Sequence, residues 1–164
     1  MSESQLNETA PRFGGCQCGA VRFRAESLRG NSHVCHCRMC QKAVGNFFAA
    51  LVGVPMVDFT WTRGEPAVFQ SSEKVERGFC SNCGTPLYYR HNLDDYISMT
   101  TGSFDHPQDV PLQYQFGNEG RLPQIDQLVS LAHSSTTEND APERAENSKV
   151  TTRQHPDHET ADWP

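Results

Sequence analysis

Seven cysteines fall into three short clusters: Gly15-Cys16-Gln17-Cys18-Gly19, Cys35-His36-Cys37-Arg38-Met39-Cys40 and Cys80-Ser81-Asn82-Cys83-Gly84. Thiolates at such spacings are metal ligands. Zinc takes about four of them, near 2.3 Å, in a tetrahedron. A CxxC turn folds back over its two inner residues and delivers both sulfurs to one point, and Gly84 can adopt the positive φ that a tight knuckle needs. Residues i and i+2 of a strand face the same side, so CxC can also offer two sulfurs to one ion. Gly14, Gly15 and Gly19 let the backbone bend around it. The run from Cys35 to Cys40 carries three sulfurs on one loop. The economical grouping gives Cys16, Cys18, Cys80 and Cys83 to one zinc ion and Cys35, Cys37 and Cys40 to a second.

These two sites differ in what they can do. A four-thiolate site is closed and therefore structural. It joins segments roughly 60 residues apart and contributes folding free energy directly. A three-thiolate site leaves a fourth position open, as catalytic zinc sites do, but with a net charge of about −1 it acidifies water poorly. That disfavours a zinc-hydroxide hydrolase. It suits exchange of a soft sulfur ligand, such as a small thiol or thiol adduct, at the open position. Three other readings compete. Disulfides are opposed by the odd cysteine count and by a reducing compartment. Iron–sulfur ligation is opposed by the spacing. A purely structural second site would take His33, His36 or another side chain as its fourth ligand.

Around these clusters, Arg38, Lys42 and Arg77 could hold the carboxylates of an anionic thiol such as glutathione; the competing reading is solvated surface charge. Of the seven histidines, only His36 is a candidate ligand or proton carrier, against the commoner role of an exposed loop residue. His155 and His158 are expected to be inert. Phe47, Phe48, Trp61, Phe69, Tyr88 and Tyr89 read as core rather than as a ligand platform. The chain has no Gly-rich phosphate loop and no convincing Ser/His/Asp set.

The elements that must position the cysteines read as short strands. Ala20–Ala25 and Val57–Trp61 alternate apolar and polar residues, the period of a half-buried strand. Phe47–Val54 is a continuous apolar run ended by Pro55, which suits a buried central strand. Pro66–Phe69, Val75–Phe79, Pro86–Arg90 and Tyr96–Thr101 are further strands, the third leading out of the CSNCG turn. One helical turn is expected over Arg38–Ala43. Gly/Pro punctuation between short strands predicts a mainly β, antiparallel fold of coiled sheets.

Composition sets the limits. The chain has 164 residues, 36% of them hydrophobic, with a mean hydropathy of −0.63 and a net charge of −6. Residues 13–133 form one expected domain. Residues 1–12 are expected to be a mobile arm. Residues 134–164 hold seven acidic and three basic side chains and a single large aromatic, Trp163. That composition predicts a disordered acidic tail. An acidic chain does not steer itself to nucleic acid, and no apolar run is long enough to span a bilayer. The polar N-terminus lacks the pattern of a signal peptide, so the expected compartment is the cytoplasm. The oligomeric state is not legible.

GGCxCGAVRF, CHCRMCQKAVG and RGFCSNCGTPLYYR, in this order, closely resemble the domain shared by glutathione-dependent formaldehyde-activating enzyme and centromere protein V. The resemblance covers Phe13 to Thr101 and extends more weakly to about His133. It implies an Mss4-like fold. It implies a structural zinc on Cys16, Cys18, Cys80 and Cys83, and a catalytic zinc on Cys35, Cys37 and Cys40. The implied activity is that of a carbon–sulfur lyase handling S-hydroxymethylglutathione, with glutathione as co-substrate. A non-catalytic, zinc-stabilised protein-binding module is the alternative the same resemblance offers.

Overall fold

The apolar runs become strands in the computed structural model, which describes residues 10–133 and 152–162. The described strands are β1 (Arg12–Gly15), β2 (Arg22–Ala25), β3 (His33–Cys35), β4 (Ala49–Pro55), β5 (Phe59–Arg63), β6 (Ala67–Ser72), β7 (Val75–Phe79), β8 (Pro86–His91), β9 (Tyr96–Thr100) and β10 (Tyr114–Phe116). Helix α1 spans Arg38–Val44 and a single turn, α2, spans Gln124–Gln127. One sheet has three strands in the order β1-β2-β5; the other has seven, in the order β10-β3-β4-β9-β8-β7-β6. All pairings are antiparallel except β10 with β3, which is parallel and makes the large sheet mixed. A three-residue strand carries too short an alternation to stand out, and its partner is far away in sequence, so this pair was not anticipated. Among the described residues no helix is long and apolar enough to cross a membrane.

The core lies between the sheets. Phe23 and Ala25 of β2 pack with Val52 and Val54 of β4, Leu87 of β8, Met99 of β9 and Phe104. Phe23 meets Trp61 and Phe104 edge-on, at 6.2 and 5.1 Å between ring centres. Cys16 and Cys80 belong to the same core. A second, smaller core of Cys35, Cys40, Ala49 and Leu51 sits under α1. Each cysteine group is therefore walled by its own apolar cluster. β4 is buried almost throughout, as its unbroken apolar run requires, but it begins at Ala49, and Phe47 is exposed.

Within β7, Gly78 faces Tyr88 on β8, and a Cβ there would run into the Tyr88 ring. Gly78→Ala should cost about 1–3 kcal/mol, the range for overpacking. Denaturant melts of the zinc-loaded chain measure this; an unchanged midpoint would mean the ring can yield.

The alternation of β2 predicts Arg22 in solvent, yet it is only 2% exposed. All five of its N–H donors have acceptors. Nη1 and Nη2 donate to Asp105 Oδ1 and Oδ2 at 2.8 and 2.6 Å. Nε and Nη2 donate to Glu159 Oε1 at 3.0 and 2.6 Å. Nη1 also reaches His155 Nδ1 at 3.5 Å. A guanidinium satisfied this fully can be buried.

Two of these partners lie in the segment expected to be a disordered tail. Residues 152–162 instead dock on the domain, while 134–151 lie outside the described residues. The His155 amide donates to the Gln17 carbonyl at 2.7 Å, and Arg63 bonds to Thr160. His155 is buried rather than inert at the surface; burial and the Arg22 charge lower its pKa. Its neutral ring accepts at Nδ1 and donates from Nε2 to Thr160 Oγ1 at 3.0 Å. Composition misleads here because one buried cation gives an acidic segment a place to bind. The N-terminal boundary also moves: Arg12 already belongs to β1, and residues 1–9 lie outside the described residues.

Candidate metal centres and the clefts beside them

The turn after β1 carries Cys16 and Cys18, and the knuckle between β7 and β8 carries Cys80 and Cys83. Gly19 and Gly84 end these turns at φ 73° and 78°, values that favour glycine. The Gly84 amide closes its knuckle by donating to the Cys80 carbonyl at 2.8 Å. The four sulfurs lie within 4.8 Å of one another. Cys16 and Cys18 are 3.6 Å apart and Cys18 and Cys80 are 3.8 Å apart, sulfur to sulfur. A zinc tetrahedron with Zn–S near 2.3 Å has an edge of about 3.8 Å, so the donor set fits that ion. A disulfide would need about 2.05 Å.

Hydrogen bonds orient these ligands. The Val21 amide donates to Cys16 Sγ at 3.3 Å. Thr85 Oγ1 accepts from the Gln17 amide at 3.0 Å, which leaves its own proton for Cys83 Sγ at 3.1 Å. Burial raises the Cys83 thiol, but the bonds from Thr85 outweigh it and hold the group at about 6. Cys16 is pushed up to about 12, chiefly by burial. Without a cation Cys16 keeps its proton, and a metal must displace it.

The second group is built on α1. Cys35 ends β3, Cys37 is the N-cap of α1, and Cys40 lies in its first turn. Their sulfurs also lie within 4.8 Å of one another, with Cys35 and Cys37 at 3.5 Å. The Cys40 amide donates to Cys37 Sγ at 3.4 Å; burial raises the Cys37 thiol, but this bond and those from Cys35, Cys40 and Met39 together lower it, whereas burial pushes Cys35 up to about 12. Among the described residues no His, Asp or Glu joins the three sulfurs. His33 directs Nδ1 to the Asn31 carbonyl at 2.8 Å. His36 is buried, not an exposed loop residue, and donates from Nε2 to Gln115 Oε1 at 2.8 Å. Neither histidine serves as a fourth ligand here. A three-thiolate set fits zinc with one position left for an outside ligand.

Two clefts meet beside this group, and only the second is lined by its cysteines. The first, about 860 Å³, runs between α1 and strands β6–β8 and brings Arg38, Lys42 and Arg77 to one groove with Phe69, Tyr88 and Tyr89 in its lining. Arg38 and Lys42 are exposed at its mouth, but Arg77 is buried, contrary to the reading of a solvated charge. Arg77 Nη2 donates to Cys40 Sγ at 3.4 Å, its Nε donates to Ser71 Oγ at 3.2 Å, and its guanidinium lies 5.1 Å from the Tyr89 ring centre. Phe69 is 61% exposed, so it is a groove residue rather than core, whereas Tyr89 packs on the smaller core and also lines the groove. Trp61 and Tyr88 do pack in the core. The second cleft, about 540 Å³, is lined by all three cysteines and shares Met39, Leu51, Arg77 and Tyr89 with the first. β10 contributes Tyr114 and Phe116 to it. The alternation of Tyr114-Gln115-Phe116 is the one sequence signal that could have pointed to them.

The model of the family "glutathione-dependent formaldehyde-activating enzyme" matches residues 11–117. An uncharacterized lyase of Schizosaccharomyces pombe is 32% identical over 130 residues, covering 71% of this chain and 93% of that protein. The crystal structure of a Rhodobacter sphaeroides protein aligns with a TM-score of 0.52 at 22% identity, over 63% of this chain and 98% of that one. That likeness speaks for the fold alone. The chain belongs to the family of glutathione-dependent formaldehyde-activating enzymes.

Proposed function

We propose that this chain is a zinc-dependent carbon–sulfur lyase acting on a glutathione adduct such as S-hydroxymethylglutathione. The observation that carries the reading is the three-sulfur group, with no fourth protein ligand among the described residues, which lines one cleft and lies beside a second that shares Arg77 and Tyr89 with it. Family membership and the lyase-named relative support the reaction class. Zinc on three thiolates supplies a soft, exchangeable position suited to the sulfur of the adduct.

The side chains around it bind and orient. A glutathione adduct carries two carboxylates and one ammonium. The first cleft offers Arg38, Lys42 and Arg77, and no acid lines it. Guanidinium and ammonium groups bind carboxylates through short, charge-assisted hydrogen bonds. Arg77 touches both the cleft and Cys40 Sγ, so it ties the anion's position to the sulfur cluster.

The test is proton NMR of formaldehyde–glutathione exchange with the zinc-loaded chain. Exchange faster than in the protein-free mixture is expected; an unchanged rate overturns the reading. The cations should not contribute equally. A hydrogen bond to a charged group is worth about 1.5–3 kcal/mol when protected from water, so Arg77→Met should raise KM for the adduct at least about tenfold. Exposed charges are worth about 0.2–1 kcal/mol, so Lys42→Ala should raise it no more than about fivefold. Steady-state kinetics separates the two, and the opposite order would move anion binding to the mouth of the cleft.

A further inference from the structure

The two clefts beside α1, which share Met39, Leu51, Arg77 and Tyr89, differ in chemistry. The first is cationic. The second has Asp94 in its lining and no cation apart from the shared Arg77. Its walls are aromatic: Tyr89, Tyr96, Tyr114 and Phe116, with His33 and His91. Tyr114 stacks on His33 at 5.0 Å between ring centres and Phe116 meets the same ring edge-on at 6.2 Å, so these rings form one ordered wall. Leu51 and Val75 add apolar surface. All three cysteines line this cleft and none lines the cationic one.

An adduct bound through its sulfur has two arms. The glutathione arm is anionic and matches the cationic cleft. The arm derived from the carbonyl compound is then left to the second cleft. A hydroxymethyl group has two heavy atoms and fills little of a cavity of about 540 Å³; that volume lies within the range of about 300–1,000 Å³ typical of small-molecule pockets. Aromatic walls favour a flat apolar ring, through burial and through stacked or edge-on contacts.

We propose, resting on the lyase reading above, that the second cleft is a subsite for an aromatic carbonyl-derived arm, so that the chain's substrates include glutathione thiohemiacetals of aromatic aldehydes. In the lyase direction the C–S bond breaks and its electron pair leaves with sulfur. The hydroxyl of the adduct loses its proton as C=O forms, and that proton returns to sulfur through solvent. The products are the aldehyde and glutathione, with no change in oxidation state. The reverse direction forms the adduct from the same two molecules.

Isothermal titration of the full-length, zinc-loaded chain with S-benzylglutathione and with S-methylglutathione tests this without turnover. Burying one ring is worth roughly 1.5–3 kcal/mol, so the benzyl compound should bind at least about tenfold tighter. Tyr114→Ala and Phe116→Ala, on an exposed edge strand, should each shrink that ratio. NMR exchange of glutathione with benzaldehyde and with formaldehyde completes the experiment, and acceleration of both is expected. Equal affinities for the two thioethers, with formaldehyde exchange accelerated, overturn the aromatic subsite and leave the lyase reading standing. No acceleration with either aldehyde overturns both.

Discussion

Cys83→Ser should yield a chain that does not fold cooperatively even with zinc in excess. The four-sulfur group bridges two turns 62 residues apart in the chain, Cys18 to Cys80, and Cys16 and Cys80 sit inside the main apolar core. A structural zinc site is worth roughly 10–16 kcal/mol in small zinc peptides, and a domain of this size has a total stability of only about 5–15 kcal/mol. Losing one ligand forfeits part of that contribution, which is a large share of the margin. Far-UV circular dichroism and metal content per chain provide the measurement. Cys37→Ser is the contrast. Its sulfur caps α1 by accepting the Cys40 amide, and serine is a good N-cap, so the helix keeps its start. That variant should hold one zinc instead of two, lose formaldehyde exchange, and keep a cooperative melt. If it unfolds as thoroughly as Cys83→Ser, the second group is structural too and the lyase reading loses its support.

The second large effect is expected at Asp105. Arg22 and Asp105 have side chains only 2% and 7% exposed and are joined by two parallel hydrogen bonds. Asp105→Ala leaves that guanidinium buried with two of its five N–H donors stripped of their acceptor. Breaking a buried pair from one side costs about 3–5 kcal/mol, which in a chain of this length lowers Tm by roughly 6–20 °C. Glu159 is 37% exposed, so Glu159→Ala should cost less, about 1–2 kcal/mol, and should act mainly by loosening residues 152–162. Calorimetry of the zinc-loaded proteins ranks the two, and hydrogen exchange at the His155 amide reports the loosening. A loss below about 1 kcal/mol for Asp105→Ala would mean that water or another group takes over its role.

Much of the architecture was legible because local chemistry and tertiary environment agree. The unbroken apolar run before Pro55 became the central strand β4, and the strand from Val75 to Phe79 was anticipated residue for residue. The two cysteine groups were legible for the same reason: a CxxC knuckle closed by a glycine is a local structure whatever surrounds it. What escaped depends on contacts between distant residues. Arg22 looks solvent-facing until Asp105 and Glu159 are placed beside it. The acidic segment looks unfolded until Arg22 and Arg63 receive it. Tyr114 and Phe116 are ordinary residues until parallel pairing sets β10 beside Cys35. Arg77 reads as surface charge until Cys40 and Tyr89 enclose it.

The docked segment has a consequence for the order of events during synthesis. Cys83 completes the four-sulfur set 76 residues before Glu159 is made. At about 5–20 residues per second that is an interval of roughly 4–15 s. The nascent chain can therefore gather its four sulfurs before the segment that bonds to the Gln17 carbonyl exists. Residues 152–162 then dock beside that turn, held by a pairing that spans 137 positions. The segment therefore buttresses a turn whose sulfurs are already gathered, and it is not needed to gather them.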